Sequence, residues 1–198
     1  GYLEMLNVPH STCPSLTSAM TYDKFVCNSY LRSFDVCVAD SVLVKKGRPF
    51  DVEKIAARLG MPCFVKPSAA GSSFGVSKVK SVEQMMPAIE KAFTESDDVV
   101  IESFLDGTEV TCGLYKTKQR TVIFPLTEVV SSNEFFDYEA KYTDPNGAAL
   151  LIPAELDDAD LRRVRETAIK AYQALDLTGL SRVDFFIDKR SGALYLNE

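Results

Sequence analysis

The sequence predicts an α+β protein built as two lobes. Three observations lead there. Segments with apolar residues at helical spacing are mixed with short β-rich runs. Those runs fall into pairs joined by brief turns such as Asp106-Gly107 and Ser191-Gly192, as antiparallel strands require. The 198 residues are 46% hydrophobic and 25% charged, an ordinary globular balance with enough chain for one large or two small cores. The boundary between lobes is expected near Glu102.

Taken in order, "GYLEML" has helical character. Met20, Phe25, Val26, Tyr30, Leu31 and Phe34 predict one helix over 18–34. Val36 to Val44 is β-rich, and "KKGRPF" is a turn. "DVEKIAARLG" opens on a capping Asp51 and stops at Gly60, a short helix. "MPCFVKP" is a strand, a Gly/Ser-rich loop follows, and "VSKV" is a brief strand. Ser81 and Gln84 are spaced as a capping box for the helix "SVEQMMPAIEKAF", in which Pro87 predicts a kink. "DVVIESFL" and "TEVTCGLY" are expected to form a hairpin about Asp106-Gly107. "TVIFPLTEVV" is a further strand, at an edge or bulged by Pro125. Leu161, Val164, Ala168, Ala171, Tyr172 and Leu175 mark one face of an amphipathic helix. "RVDFFIDKRSGALYLNE" closes as a hairpin. The chain begins without Met in a helical run and stops inside an alternating one, so it reads as a segment of a longer protein.

Composition narrows the functions. A net charge of −6 and a pI near 5.0 argue against nucleic-acid or anionic-membrane surfaces. No apolar run approaches the ~20 residues that cross a bilayer. Five scattered cysteines, never spaced C-x-x-C, read as buried reduced thiols of a cytoplasmic protein. A single histidine, His10, leaves metal chemistry to carboxylates.

Four features carry chemistry. In "VKPSAAGSSFGVSKV", Gly71 and Gly75 allow backbone N–H groups to turn inward, and Ser72 and Ser73 add hydroxyls. Lys66 brings an ammonium to this phosphate-sized concavity. A flexible strand-to-strand turn is the alternative for the loop alone. In the last hairpin, a three-residue turn 190–192 with left-handed Gly192 would pair Lys189 with Ala193. That register sets Asp184 opposite Glu198, with Arg182 on the same face and Val183, Phe185, Ile187 and Tyr195 on the core face. Two close carboxylates need a cation between them, and Mg²⁺ suits such oxygens; an Asp–Arg pair on a solvated face is the alternative. "NEFFDYEAKY" puts four aromatics into a polar connection and reads as a lid, with Lys141 and Tyr142 inward. Glu102 and Glu109 flank the lobe junction, where they could meet an adenine and a ribose.

In order, "FVKPSAAGSSFGVSKV", "VVIESFLDGTEVT", "FFDYEAKY", "SRVDFFID" and "LYLNE" resemble the ATP-grasp ligases, in particular the D-alanine–D-alanine ligase family. The resemblance covers essentially the whole chain. It implies an α+β ATP-grasp fold, two lobes holding nucleotide between them. Residues 1–17 would be a remnant of an N-terminal substrate domain, 18–102 the central lobe, and 103–198 a truncated C-terminal lobe. It further implies that Lys24 and Lys66 meet ATP phosphates under the Ser72–Ser73 loop. Glu102 would take the adenine amino group, the backbone at Ser103 and Leu105 the adenine ring, and Glu109 the ribose. Asp184 and Glu198 would hold Mg²⁺ or Mn²⁺. Arg182 would stabilise charge on the first D-alanine carbonyl, Ser72 and Tyr142 would shape the D-alanine sites, and Lys141 would reach the moving phosphate. Phe136 stands where many members carry tyrosine. The implied reaction joins two D-alanine molecules through an acylphosphate, for peptidoglycan precursors, in a cytoplasmic enzyme that is a homodimer at full length. A D-lactate- or D-serine-accepting ligase and a silent nucleotide-binding relative are the alternatives.

Overall fold

The computed structural model describes residues 1–131 and 148–198. Its elements are α1 (Tyr2–Met5), α2 (Ser15–Tyr22), α3 (Lys24–Arg32), β1 (Ser41–Lys45), α4 (Val52–Leu59), β2 (Cys63–Pro67), β3 (Ser77–Val79) and α5 (Met85–Ala92). There follow β4 (Asp98–Ser103), β5 (Gly107–Lys116), β6 (Thr121–Ile123), β7 (Thr127–Ser131), β8 (Ala148–Leu151), α6 (Asp158–Ala174), β9 (Leu180–Asp188) and β10 (Leu194–Leu196).

Two antiparallel sheets organise the chain. The smaller has the order β1-β4-β2-β3. Cys63 and Val65 of β2 and Val99 and Ile101 of β4 point to one face, where Ile55, Leu59, Met85 and Ile89 from α4 and α5 close the core. The larger runs β10-β9-β5-β7-β8, with β6 also on β5. Val110, Cys112 and Leu114 of β5 and Val183, Phe185 and Ile187 of β9 meet Val164, Ala168 and Tyr172 of α6. Leu31, Val36 and Val38 join this second core, so α3 packs on the larger sheet although it precedes the smaller one. Each sheet therefore keeps one face free of helices from its own core.

Several expected elements divide or move. The helix over 18–34 is two helices. Asp23 leaves helical geometry at ψ 107° and accepts the Val26 N–H, capping α3. The β-rich stretch 36–44 is a strand only from Ser41; before it, Val38 bridges to Leu196. Asp51 and Gly60 bound α4 as the sequence indicates, with Asp51 accepting from Lys54 N–H and Gly60 at φ 78°. No capping box forms at Ser81. Gln84 Oε1 instead accepts the Lys80 N–H, and a 3₁₀ turn over Val82–Gln84 leads into α5. Pro87 thus lies in the first turn of α5, where its missing N–H costs no helix bond, and the expected kink has no cause. The hairpin about Asp106-Gly107 does not exist: β4 pairs with β1 and β2, whereas β5 pairs with β9, β7 and β6. Pro125 splits "TVIFPLTEVV" into β6 and β7. The pairs Leu114–Ile123 and Thr111–Thr127 leave one extra residue on that side, a bulge.

Where the connection from α6 returns to β9, Gly179 adopts φ 68° and passes so close to the Ser11 carbonyl that a Cβ would collide with it. Gly179→Ala is expected to cost at least about 2 kcal/mol, by left-handed strain plus that clash. Denaturant unfolding of the variant against the parent checks this.

The cysteines are all free, but they are not uniformly buried. Cys63 and Cys112 are, while Cys37 is exposed. Burial pushes the Cys112 thiol up to about 11. Burial, with Glu198 and Asp23 close by, does the same to Cys27, also to about 11. Iodoacetamide at mildly alkaline pH should therefore alkylate Cys37 first and spare Cys27, Cys63 and Cys112 until the chain unfolds, as peptide mass spectrometry would read.

Candidate active site

The helix-free faces of the two sheets supply the polar residues. On the smaller sheet, Phe64 and Lys66 of β2 lie on the face opposite Cys63 and Val65, and Glu102 of β4 pairs with Phe64 in register. Lys66 Nζ donates to Glu102 Oε2 at 2.7 Å, an ion pair whose side chains are only 16% and 5% exposed. On the larger sheet, Thr111 of β5 pairs with Asp184 of β9, both opposite the core. Thr111 Oγ1 donates to Asp184 Oδ1 at 2.8 Å, and Arg182 grips the same carboxylate through Nε at 3.0 Å and a terminal nitrogen at 2.8 Å. That carboxylate, before all else, raises the Arg182 pKa further above its ordinary value, with Glu198 and Glu109 adding to it.

The last hairpin differs in register from the expectation. Asp188, not Lys189, exchanges backbone bonds with Ala193's side of the turn, and Gly192 closes it at φ 66°. Leu194 and Leu196, not Tyr195, consequently face the core beside Ile187 and Phe185. A second irregularity compensates at the open end. The Asp184 carbonyl accepts from both Asn197 N (2.8 Å) and Glu198 N (3.4 Å), while Asp184 N donates to the Glu198 carbonyl (2.7 Å). Two residues opposing one is a β-bulge, and it sets Glu198 across from Asp184 after all. Lys24 of α3 approaches Glu198 Oε1 at 3.5 Å and donates to the Ala70 carbonyl at 2.6 Å. Ser68, fully buried, ties β2 to α3 by donating to Asp23 Oδ1 and accepting the Phe25 N–H.

The Gly/Ser loop is shaped differently from the expectation. Ser72 and Ser73, at φ 53° and 59°, take the left-handed conformations together with Gly75, and Gly71 does not. The Phe74 and Val76 N–H groups donate to the loop carbonyls of Gly71 and Ser73. Ser72 is exposed, two residues beyond the Ala70 carbonyl that Lys24 grips. Ser103 N–H donates to the Asp40 carbonyl, and Leu105 lies half-buried in the passage between sheets. Glu109 is half-buried on β5, two residues from Thr111 on the same face. Lys141 and Tyr142, with the Phe135–Tyr142 lid, lie outside the described residues. Sequence reasoning missed Asn197, whose Oδ1 lies 3.4 Å from Lys66 Nζ. It also missed Thr111, whose signal was its place two residues after Glu109.

Among the described residues no cluster of three His, Cys, Asp or Glu could hold a metal. Asp184 and Glu198 offer hard oxygens from neighbouring chain segments, a donor pair that fits Mg²⁺ completed by phosphates and water, and fits Zn²⁺ poorly.

Residues 31–198 match the sequence model of the family described as "D-ala D-ala ligase C-terminus". The chain belongs to that family. Its α+β architecture is accordingly the ATP-grasp fold of these ligases. A curated family member, the D-alanine--D-alanine ligase of Phocaeicola vulgatus, is 52% identical over 188 residues, 94% of this chain and 57% of its own length. Among solved family structures, the VanG D-Ala:D-Ser ligase of Enterococcus faecalis superposes with a TM-score of 0.86 at 34% identity, covering 98% of this chain and 56% of that one. The Bacillus anthracis D-alanine--D-alanine ligase complexed with ATP gives 0.82 at 26% identity, covering 100% and 60%. The chain thus spans rather more than half the length of the family members it matches.

Proposed function

We propose that this chain is the nucleotide-holding part of a ligase that joins two D-alanine molecules at the expense of ATP, in the cytoplasm, for peptidoglycan precursors. The observation that carries the reading is the convergence of Lys66 and Glu102 from one sheet with Arg182, Asp184 and Glu198 from the other, joined where Lys66 meets Asn197 beside Glu198. Family membership and the ATP-bound relative support it. The lobes are 18–102 and 103–198, with 1–17 leading in from a substrate domain. The change of sheet between Ser103 and Gly107 favours the division, and α3 contributes to the second lobe's core. The whole protein is proposed to be a homodimer.

In this reading the nucleotide lies between the two helix-free faces. Glu102 and the Ser103–Leu105 backbone take the adenine, and Glu109 takes the ribose. Lys24 and Lys66 neutralise phosphate oxygens beneath the Ser72–Ser73 loop, which suits phosphoryl transfer because that reaction needs alignment and charge compensation above all. Asp184 and Glu198 hold Mg²⁺ or Mn²⁺, which when bound supplies further neutralisation of the phosphates. The first D-alanine carboxylate accepts the γ-phosphoryl group, and the second amine then displaces phosphate. Arg182, kept in place by Asp184, faces the oxygen that gains charge in that second step. Tyr142 and Ser72 shape the amino-acid sites, Lys141 reaches the phosphate, and the lid keeps water from the acylphosphate.

Acceptance of D-serine as the second substrate is the other reading, favoured by the likeness to VanG; the 52% identity to a D-alanine--D-alanine ligase favours D-alanine. Phosphate release from Mg-ATP by the protein that carries this chain decides between them, with D-alanine alone, D-alanine plus D-serine, D-alanine plus D-lactate, and L-alanine. Release with D-alanine alone, and D-alanyl-D-alanine by mass, is expected. Release only in a mixed reaction would move the acceptor, and no release with any D-substrate would remove the function.

A further inference from the structure

Asn197 has no task in the scheme above, yet through it the larger sheet touches Lys66. A lysine ammonium has three N–H donors and no acceptor. Here one donor goes to Glu102 Oε2 at 2.7 Å and another to Asn197 Oδ1 at 3.4 Å, with the Phe64 ring centroid 5.5 Å from the nitrogen. Phe64 and Glu102 belong to the sheet that carries Lys66. Asn197 comes from the other sheet, at the bulge opposite Asp184.

We infer that Asn197 is a positioning residue, whose amide oxygen holds the Lys66 ammonium across the junction of the sheets and aims it at a nucleotide phosphate. The inference rests on the nucleotide reading proposed above. Its physical content is the choice of a neutral acceptor. Lysine is a point charge on a flexible four-carbon stem, so it acts in one place only if something holds it. Glu102 holds it here, but Glu102 is also the group proposed to turn to the adenine. The amide oxygen remains when that happens. It orients the ammonium without cancelling the charge that a phosphate requires, which a carboxylate in the same place would do.

Two variants and two readouts test this. Asn197→Leu removes the acceptor at similar volume; Asn197→Asp keeps an acceptor of the same shape. Without nucleotide, acylation of Lys66 by an amine reagent, followed by peptide mass spectrometry, should quicken about tenfold in Asn197→Leu and be no faster than the parent in Asn197→Asp, whose charge holds the ammonium at least as firmly. An unchanged rate in Asn197→Leu overturns the hold on Lys66. In titrations with ATP and with adenosine, Asn197→Leu should weaken ATP about tenfold and leave adenosine unaffected, because only ATP presents a phosphate. Equal losses for both ligands, or none, overturn the positioning role. If the parent chain binds neither ligand, the nucleotide reading fails, and the acylation rates still decide whether Asn197 holds Lys66.

Discussion

Asp184→Asn is expected to lower ATP-dependent turnover of the protein that carries this chain by about 10²–10³-fold, with the sheet still folded. The side chain is nearly buried and accepts three hydrogen bonds, one from Thr111 and two from Arg182. An amide has the same outline but turns one acceptor into a donor. Whichever way it is oriented, that donor faces an Arg182 nitrogen: in the Oδ1 position Nε together with the Thr111 hydroxyl, in the Oδ2 position a terminal nitrogen. The hydroxyl can rotate to accept and the guanidinium cannot, so the amide oxygen will take one Arg182 bond and the second will be lost. The variant therefore damages two proposed functions together. One of two hard oxygens at the metal position disappears, and the guanidinium loses its bidentate hold. The two are separable. Raising Mg²⁺ should recover part of the activity if the metal is the main loss, whereas a loosened Arg182 would leave turnover low at every Mg²⁺ concentration. Unchanged turnover at saturating Mg²⁺ would remove Asp184 from the site, and circular dichroism would confirm that the comparison is between folded proteins.

Elements whose signals are local were legible in the sequence. Asp51 and Gly60 bracket α4, and the apolar stripe from Leu161 to Leu175 describes α6, because caps and periodicity act within a turn or two of helix. The break at Asp23 was available in the same way, as a capping side chain three residues before Val26, but the apolar spacing through it concealed the break. The false hairpin has a different origin. Asp106-Gly107 does mark a change of direction. A turn signal does not say whether the next strand returns to its predecessor or leaves for another sheet, and that choice is made by β9, some seventy residues later in the chain.

The site divides along the same line. Lys66, Arg182 and Asp184 could be named from residue type and alternation, since side chains two apart share a face wherever the strand lies. The relation of Glu198 to Asp184 could be counted only through an assumed turn, and the turn is one residue longer than assumed. The bulge at Asn197 and Glu198 corrects the facing, and nothing in "LYLNE" announces it. It depends on the final residues leaving the regular ladder while α3 brings Lys24 toward Glu198. Asn197 escaped notice because a neutral amide leaves no charge pattern; it becomes visible only when the second sheet supplies Lys66 as its partner.

Lys66→Met should be the variant that most clearly separates the fold from the function of this pair. Glu102 is 4% exposed, and its carboxylate meets the Lys66 ammonium at 2.7 Å. Removing the cation while retaining a similar stem leaves a buried carboxylate without its partner, and a cost of about 3–5 kcal/mol is expected. The paired variant Lys66→Met with Glu102→Leu should recover most of that stability, because two apolar side chains on this face no longer carry the desolvation penalty of two ions. ATP binding should not return with it, since both the proposed phosphate cation and the proposed adenine acceptor are gone. Denaturant midpoints and ATP titration on the three proteins read the two effects separately. A single-variant cost of only ~0–1 kcal/mol, the range of exposed ion pairs, would mean that water reaches Glu102 freely. Restored ATP affinity in the double variant would take Lys66 and Glu102 out of the nucleotide site, and would leave them as a structural pair whose position between the sheets is incidental to the reaction.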